Sequence, residues 1–198
     1  MSKQPKISKT AIFYGKVNIG EGTIVGDNVI FGHREGGELR IGKNSIVRSG
    51  SVIYSGVKIG DNFRSGHNVL IRENTEIGDN VLVGTNSVID GDCKIGNNVS
   101  IQTGVYITRY TVIEDGVFLG PLCVTINDKY MKYGAELKGP IIKRNARIGA
   151  NSTILSGINI GEAAIVGAGA VVTKDVANGD IMSGNPARSM KVFNKNRA

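Results

Sequence analysis

Aliphatic side chains recur at every sixth residue over much of the chain. Counting in sixes from Ile41 to Leu119, thirteen of fourteen positions are aliphatic, and Ser65 is the exception. An α-helix repeats its apolar face at about 3.6 residues and a single strand at about 2, so neither produces this spacing. A short strand followed by a tight corner does. The pattern predicts a coil of three such strands that stacks on the next coil at about 4.8 Å.

Residues that tolerate a left-handed backbone occupy a second position of the repeat. Three residues after each aliphatic position, twelve of fourteen residues are Asn, Gly or Asp, and the exceptions are Tyr110 and Leu122. Such residues adopt a positive φ at low cost, as a tight corner requires. The next position is mostly small and should point inward. We expect an Asn ladder along one corner, formed by Asn44, Asn62, Asn80 and Asn98.

The same repeat continues on both sides of this stretch. Upstream it keeps its phase from Ile7, with four extra residues in the region Glu35–Leu39, and downstream it resumes at Ile142. We therefore expect an all-β chain that forms one parallel β-helix domain. Its coils should cover about 7–125 and 141–177, with a protruding loop at about 126–139 and a C-terminal tail at 178–198.

Two departures from the repeat are consistent with a packed interior. Phe63 occupies a small inward position and Ser65 an aliphatic one, so a large residue beside a small one conserves local volume. Cys93 and Cys123 both occupy the small inward position, five hexads apart and hence on different sides and coils. We expect no disulfide between them. Two reduced core thiols agree with a reducing compartment.

The outward residues of the strands distinguish three faces. One face is mixed and one is mainly charged, whereas the third is apolar over five successive coils: Val52, Leu70, Val88, Tyr106 and Val124. An apolar stripe of this length is unusual on a soluble monomer. Cover by the chain's own tail is one explanation. Packing of a homo-oligomer along this face, most simply a homotrimer with threefold symmetry, is the explanation that we favour.

Composition and charge narrow the function classes. The 28 glycines, 4 prolines and absence of Trp suit short strands with tight turns. The net charge of +7 is spread out, without a basic helix or a basic stripe interleaved with aromatics, so we expect no nucleic-acid partner. A solvated surface or attraction of phosphate-bearing ligands accounts for the charge. No apolar run resembles a signal peptide or could span a bilayer, so we expect a cytoplasmic protein with no membrane partner.

The hexads resemble those of the hexapeptide-repeat acyltransferases, which are left-handed β-helices that act as trimers. The left hand comes from this resemblance, because most parallel crossovers are right-handed and the repeat alone does not fix the hand. Val166–Asp175 and Gly184–Arg188 resemble the family's coenzyme A segment. Val117–Pro121 and Thr125–Tyr130 resemble a segment of the N-acetyltransferases of nucleotide-linked 3-amino sugars, although Met131 stands where those enzymes usually have Pro.

The resemblance implies transfer of an acetyl group from acetyl-CoA to the amino group of a nucleotide-linked amino sugar, without a metal, in surface polysaccharide or glycan precursor synthesis. Loops on rigid scaffolds often carry function. We expect Asn127 to orient the amine and Asp128 to accept its proton or fix the loop, with Lys129 and Tyr130 binding substrate. A tolerated insertion, in which Asn or Asp only closes a turn, is the simpler explanation.

Small corner residues are candidates for the coenzyme site, where a pantetheine arm could lie against the backbone: Gly149, Ala150, Gly167 and Ala168. Lys174, Arg188 and Lys191 could meet the phosphates of the coenzyme. Small residues that merely form tight corners are the alternative explanation.

The two histidines bear on the acceptor. Many hexapeptide transferases use His as a base, but His33 and His67 both lie outside the loop. An amine with a pKa near about 8 is already partly neutral, whereas a hydroxyl needs a base, so N-acylation is favoured. His67 lies three coils, roughly 14 Å, from Asn127 and could contact a long substrate.

Three alternative functions remain possible from the sequence, and a fourth lacks the residues that it needs. O-acylation of a sugar or small alcohol, N-acylation of an amino-acid-like amine, and a non-catalytic β-helix scaffold are the alternatives. The γ-type carbonic anhydrases share this fold but need three histidines to bind zinc, and the chain has two.

Overall fold

A computed structural model describes residues 4–33 and 36–190. Strands of two to four residues follow one another in this part of the chain, and every third strand pairs in parallel. The chain therefore winds into a three-sided solenoid of about ten turns, the parallel β-helix expected from the hexads with the left hand expected from the family resemblance. Within the same residues, there is no helix with the length and apolarity needed to cross a membrane.

Three sheets form the sides of the solenoid. Among the described residues, sheet A contains β1 (Lys6–Ile7), β4 (Ile24–Val25), β7 (Ile46–Val47), β10 (Arg64–Ser65), β13 (Leu82–Val83), β16 (Ser100–Ile101), β19 (Phe118–Leu119), β22 (Arg147–Ile148), β25 (Ile165–Val166), β27 (Ile181–Ser183) and β28 (Arg188–Ser189). Sheet B contains β2 (Ile12–Phe13), β5 (Ile30–His33), β8 (Val52–Tyr54), β11 (Leu70–Ile71), β14 (Val88–Ile89), β17 (Tyr106–Ile107), β20 (Val124–Thr125), β23 (Thr153–Ile154) and β26 (Val171–Val172). Sheet C contains β3 (Val17–Ile19), β6 (Leu39–Ile41), β9 (Lys58–Ile59), β12 (Glu76–Ile77), β15 (Lys94–Ile95), β18 (Val112–Ile113), β21 (Ile141–Ile142) and β24 (Asn159–Ile160).

The core is a stack of inward aliphatic side chains. Ile53, Ile71 and Ile89 are fully buried, and each pairs with its equivalent on the next coil. Burial of one such side chain contributes about 1.5–3 kcal/mol. Phe63 and Ser65 are both buried, which confirms the expected exchange of volume. The Ser65 hydroxyl accepts a hydrogen bond from the Arg48 backbone N–H at 2.8 Å, so its polar group is satisfied.

The corners follow the left-handed backbone expected from Asn and Gly. The φ angles of Asn44, Asn62, Asn80 and Asn98 lie between 53° and 58°. Asn62 Nδ2 donates to Asn80 Oδ1 at 3.0 Å, which confirms the Asn ladder between these two coils. Each rung therefore supports both the turn conformation and the stacking of the next coil.

Two insertions interrupt the 18-residue spacing between stacked partners. Across the first insertion the spacing is 22 residues, four more than the usual value, as expected. Glu38 anchors the end of this insertion with contacts to Lys16 (2.8 Å), Arg40 and Asn18. Hydrogen bonds from Lys16 and then Arg40 hold the pKa of Glu38 below its ordinary value. Arg34 and Glu35 lie outside the described residues.

The second insertion is the loop at 126–139, since no strand lies between β20 and β21. Stacked partners on its two sides are 29 residues apart. The loop leaves the corner between sheets B and C, and the coil then resumes in register as Val112 pairs with Ile141.

The solenoid extends beyond residue 177, where the sequence analysis ended the coils. Strand β27 pairs in parallel with β25, and β28 then folds back antiparallel on β27. Partners in this last turn are 16 residues apart, as for Asn159 and Asp175, so the hexad phase is lost although the coil continues. The tail residues 191–198 lie outside the described residues.

We predict that neither thiol reacts in the folded protein. Cys93 and Cys123 are free and buried. Burial raises the pKa of Cys93 to about 12 and the pKa of Cys123 above its ordinary value. Because the thiolate is the reactive form, titration with Ellman's reagent near pH ~8 should detect no fast thiol in the native state and both in denaturant. One fast thiol in the native protein would contradict the burial.

Candidate functional site

Sheet B has two long edges that carry different residues. The chain leaves sheet B at the corner toward sheet C, which we call the loop edge and which includes Tyr54, Arg72, Arg109 and Asn127. It enters sheet B at the corner from sheet A, which we call the glycine edge. The glycine edge includes His67, Gly120, Gly149 and Gly167.

The outward face of sheet B, between these edges, is the apolar stripe expected from the sequence. Strand register stacks the following residues in one column: Ile12, Ile30, Val52, Leu70, Val88, Tyr106, Val124, Thr153 and Val171. Eight of these nine side chains are apolar or aromatic, and Ile12, Tyr106 and Val124 are at least 36% exposed. By contrast, the face of sheet C carries charge, with Lys58 paired to Glu76 at 2.9 Å.

Asn127 stands at the neck of the loop. Its side-chain Nδ2 donates to the backbone carbonyl of Arg109, one coil away, at 3.4 Å. Because a carbonyl oxygen can only accept, the amide nitrogen must face it, and Oδ1 takes no part in this contact. The Asn127 carbonyl accepts from the Lys138 N–H at 2.8 Å. The Ser156 hydroxyl lies 2.9 Å from the carbonyls of Asn127 and Lys138, so the two ends of the loop are held together.

The residues after Asn127 form a turn that projects outward. Asp128 Oδ1 accepts from the backbone N–H groups of Tyr130 (2.9 Å) and Met131 (2.7 Å). Two roles were expected for Asp128, accepting the proton of the amine and fixing the loop, and these two hydrogen bonds support the second. Lys129 Nζ lies 5.5 Å from the centroid of the Tyr130 ring, and that ring is 65% exposed. In one chain, therefore, these side chains face solvent.

A charge network lies directly beside Asn127 on the loop edge. Arg72 pairs with Glu73 (2.8 Å) and Asp90 (2.7 Å), and Arg109 pairs with Asp92 and with Glu73 (3.4 Å). Each of these five side chains is about a quarter to a third exposed, so the pairs are partly shielded from water. The network holds Arg109, whose carbonyl in turn holds Asn127.

This network was not predicted from the sequence. Its signal is the spacing of 18 residues between Arg72 and Asp90, which places opposite charges on successive coils. Asp90 also accepts from the Tyr106 hydroxyl at 3.0 Å, and burial and this bond raise the pKa of Tyr106 above its ordinary value. Among the described residues, no group of three or more His, Cys, Asp or Glu side chains is arranged to hold a metal ion.

Two bulky residues with positive φ lie at corners near the loop, one after β17 and one before β20. Tyr110 has φ 67° on the loop edge, and Leu122 has φ 60° on the glycine edge. Their side chains are 46% and 55% exposed. Bulky residues rarely adopt this conformation, and such strain concentrates at functional sites. They are the two exceptions, between Asn44 and Leu122, to the rule that this corner position is Asn, Gly or Asp, and this exception is a signal of the site in the sequence.

The small residues expected at the coenzyme site are stacked on the glycine edge. Gly149 and Ala150 lie directly on Gly167 and Ala168, and a Cβ on Gly149 would collide with the backbone nitrogen of Ala168. The close stacking of the two coils is therefore enough to explain the glycine at position 149, without a coenzyme. The segment Gly184–Arg188 lies on the same edge, because Gly184 accepts from the Val171 N–H (3.0 Å) and Ala187 donates to the Val171 carbonyl (2.8 Å).

The remaining expected site residues are separated in one chain. His67 is exposed on the glycine edge, three coils from the level of Asn127. Lys174 is exposed on the loop edge, across sheet B from the small-residue column that it was expected to assist. Lys191 lies outside the described residues. Arg188 lies in β28 of sheet A, paired with Ser183, and the other expected site residues within the described ranges fall on the two edges of one apolar face or in the loop.

Comparisons with known proteins agree with this architecture. Residues 74–109 match the sequence model of the bacterial transferase hexapeptide repeat. Residues 38–71 and 141–174 match the model of the hexapeptide repeat of succinyl-transferase, and the matches together cover about half of the chain. The chain belongs to the hexapeptide-repeat transferase family.

Local similarity connects this hexapeptide-repeat protein to N-acetyltransferases. It is 56% identical over 48 residues to the dTDP-3-amino-3,6-dideoxy-alpha-D-galactopyranose 3-N-acetyltransferase of Aneurinibacillus thermoaerophilus, over 24% of this chain and 25% of that protein. It is 49% identical over 51 residues to the 2,3,4,5-tetrahydropyridine-2,6-dicarboxylate N-acetyltransferase of Staphylococcus aureus, over 26% and 21%. The chain spans only a fifth to a third of the length of the curated relatives that it matches.

A solved structure shows the same fold. The UDP-N-acetylglucosamine acyltransferase of Bacteroides fragilis superposes with a TM-score of 0.67 over 100% of this chain and 77% of that chain. The two sequences are 20% identical, so this likeness concerns the fold.

We predict that Asp128 acts on the loop through its acceptor oxygen. Asp128→Ala removes both turn-closing hydrogen bonds, whereas Asp128→Asn keeps an acceptor at the same place. Trypsin cleavage after Lys129 and Lys132 should be several-fold faster in the Ala variant and close to wild type in the Asn variant. Thermal unfolding should be similar in both, because the loop lies outside the core. Equal cleavage rates in all three proteins would contradict this role.

Proposed function

We propose that this chain is an acetyl-CoA-dependent N-acyltransferase that acts on the amino group of a nucleotide-linked amino sugar. Membership of a transferase family and local similarity to two N-acetyltransferases, one of them acting on a dTDP-linked 3-amino sugar, support the reaction class. The observation that carries the choice of acceptor is the position of the two histidines relative to the loop.

Neither imidazole can serve the loop as a base. His33 and His67 are the only histidines in the sequence, and they lie five and three coils from the level of Asn127. At roughly 5 Å per coil, both are too far for proton transfer. An amine with a pKa near about 8 supplies its own lone pair in a useful fraction of molecules at neutral pH. A hydroxyl does not, so the geometry favours N-acylation over O-acylation.

The proposed reaction needs positioning more than basicity. The amine lone pair attacks the thioester carbonyl carbon, the new C–N bond forms, and the C–S bond breaks as the coenzyme leaves as a thiolate. Asn127 Oδ1 accepts a hydrogen bond from the amine N–H and directs the lone pair at the carbonyl. The proton lost from nitrogen passes to Asp128 or to the departing thiolate.

The two edges of the apolar face would meet in a homotrimer. Burial of face B around a threefold axis parallel to the coil stack brings each coil level of one protomer against the same level of the next. Since face B is bounded by the loop edge and the glycine edge, the loop edge of one protomer then faces the glycine edge of its neighbour. Asn127 would face Leu122 of the partner subunit, which gives the strained and exposed corner a partner to contact.

This arrangement would also assemble the coenzyme site. Gly149 and Gly167 of the neighbour would lie one and two coils from Asn127, roughly 5 and 10 Å along the stack. Lys174 would face the corner at Gly167 and Ala168 of the neighbour, at the same coil level. The residues that one chain separates would then surround one cleft, with a cation at the end where the coenzyme phosphates are expected.

The test of the reaction is thiol release from acetyl-CoA across a panel of UDP- and dTDP-linked amino sugars and their hydroxyl counterparts. We expect turnover with an amino sugar and none with the matched hydroxyl compound. Asn127→Ala should lower kcat at least tenfold with the fold intact, because the amine loses its orienting acceptor. Asn98→Ala, at a solvent-exposed corner on the far side of the coil, is the control and should leave kcat near wild type.

Turnover with hydroxyl acceptors alone would overturn the choice of nucleophile. Wild-type kcat in Asn127→Ala would instead remove that residue's role and leave the reaction class in place.

The assembly makes a separate prediction. Leu70→Glu combined with Val88→Glu places two carboxylates in the apolar stripe and should yield a monomer by sedimentation velocity, since burying them would cost several kcal/mol. The matched control, Lys58→Glu with Lys94→Glu, adds two carboxylates to the charged face of sheet C and should leave a trimer. A trimer in both variants would reject face B as the interface.

A further inference from the structure

Two bulky side chains occupy corners where the stretch from Asn44 otherwise has Asn, Gly or Asp. Tyr110 (φ 67°) lies on the loop edge and Leu122 (φ 60°) on the glycine edge. In one chain they stand at opposite edges of sheet B, and each is about half exposed. A positive φ at a bulky residue costs free energy that Asn or Gly would avoid. Burial within the chain does not offset this cost for either residue.

The side chain of Leu122 lies over Gly104, one coil nearer the N-terminal end of the solenoid. A Cβ on Gly104 would come within 2.6 Å of Leu122 Cδ2, so the glycine leaves the space that the leucine occupies. Gly104 and Tyr110 are the corners that flank one strand, β17. The tip of Leu122 is therefore at the coil level of Tyr110, and the two bulky side chains reach the same level from opposite edges.

The Tyr110 ring is held by its neighbour in sequence. The guanidinium carbon of Arg109 lies 5.6 Å from the ring centroid, and Arg109 is itself paired with Asp92 in the charge network. One coil toward the C-terminus, Gly139 packs on the Tyr110 backbone, where any Cβ would collide with the Tyr110 carbonyl. Tyr110 thus lies between the end of the loop and the charge network, with its ring partly exposed.

In the proposed trimer these two side chains would meet. Tyr110 would face Gly104 of the partner subunit at the same coil level, and with it the leucine that lies over that glycine. This contact would lie one coil, roughly 4.8 Å, on the N-terminal side of Asn127. The small-residue column of the coenzyme site lies on the other side of Asn127. A pantetheine arm that follows this column would present its thioester at Asn127 and direct the acyl group toward the contact.

We propose that Tyr110 and Leu122 of the partner subunit form the floor of the acyl pocket and restrict the donor to the two-carbon thioester, acetyl-CoA. This inference rests on the proposed function, because it assigns the far end of the acyl group that the amine attacks at Asn127. The space of one coil admits the methyl group of acetyl, whereas butyryl adds two methylenes and collides with the floor.

The surroundings of the floor oppose a longer acyl chain as well. On its N-terminal side lie the guanidinium of Arg109 and the carboxylate of Asp92. An apolar tail pushed past the floor would desolvate these charges, which is unfavourable. The backbone strain at both corners also fits this role, since a small polar residue would relax the corner but leave the pocket open.

The test compares acetyl-CoA with butyryl-CoA as donors to one amino-sugar acceptor, by the ratio of their kcat/KM values. Wild type should prefer acetyl-CoA at least about 100-fold, since each methylene is worth about 10–200-fold in an apolar pocket. Leu122→Asn and Tyr110→Asn each remove one side of the floor and should lower this ratio at least about tenfold. Both should keep or raise Tm, because Asn adopts a positive φ at low cost. Leu82→Asn, at an exposed position on sheet A, is the matched control and should leave the ratio unchanged.

Binding of the donor is a second readout that needs no acceptor. Calorimetric titration with each thioester should show weaker binding of butyryl-CoA than of acetyl-CoA by wild type, and nearly equal Kd values in Leu122→Asn. Equal use of both donors by wild type, or no binding of either, would overturn the assignment. So would a fall in kcat/KM of the same size for both donors in Leu122→Asn, because that residue would then only pack the interface.

The outcome is separable from the proposed function. Thiol release with an amino sugar and an unchanged donor ratio in both Asn variants would remove the floor and leave the reaction in place. A changed ratio of Kd values in Leu122→Asn, together with an absence of thiol release to any amine, would remove the reaction and leave the floor in place.

Discussion

Each coil of this protein hydrogen-bonds through its backbone to the coil that follows in parallel register, which shifts between Phe31 and His33 where β5 pairs with β8. The N–H of Ile46 reaches the carbonyl of Phe63 at 2.7 Å, and that of Val52 reaches Val69 at 2.8 Å. Because the coils keep this register on both sides of that shift, residues one turn apart become neighbours on the same face or corner. The aliphatic interior, the Asn ladder, the apolar face and the charge network all follow from this register. An insertion is tolerated only where the chain can leave and return at one corner, as it does at 126–139.

That register explains why so much of the fold could be predicted from the sequence. The hexads specify which residues point inward. The inward Phe63 fits the core because Ser65, two residues away, leaves the space that an aliphatic side chain would fill. The hand of the coil came from family resemblance, since parallel pairing itself does not specify it. The hexads predicted that the solenoid ends at residue 177, which is too early. Its last turn takes 16 residues instead of 18, so Met182 stacks on Val166 at a position that counting in sixes does not reach.

The candidate site was less predictable, because the repeat brings corner residues of successive coils together but does not specify which of their atoms form bonds. Asn127 and the small-residue column could be identified from the break in the hexads and from resemblance. Asn127 and Arg109 are 18 residues apart, so the repeat makes them neighbours, but the choice of the Arg109 carbonyl as partner depends on local geometry. The turn that Asp128 closes lies within the loop and has no counterpart in the repeat. The strained corners at Tyr110 and Leu122 did carry a signal, since they break the one rule that every other corner in the stretch obeys.

The central claim is that the loop edge of one protomer and the glycine edge of the next form one active site. Asn127→Ala disables only the loop edge, and Ala168→Tyr, at an exposed corner, fills only the glycine edge. Each variant alone should be nearly inactive. Every trimer that contains both variants has one interface with two intact edges, so random mixing of equal amounts should restore about a quarter of wild-type turnover. Turnover of the mixed trimers no higher than that of the two parents would contradict the claim and place the site within a single chain.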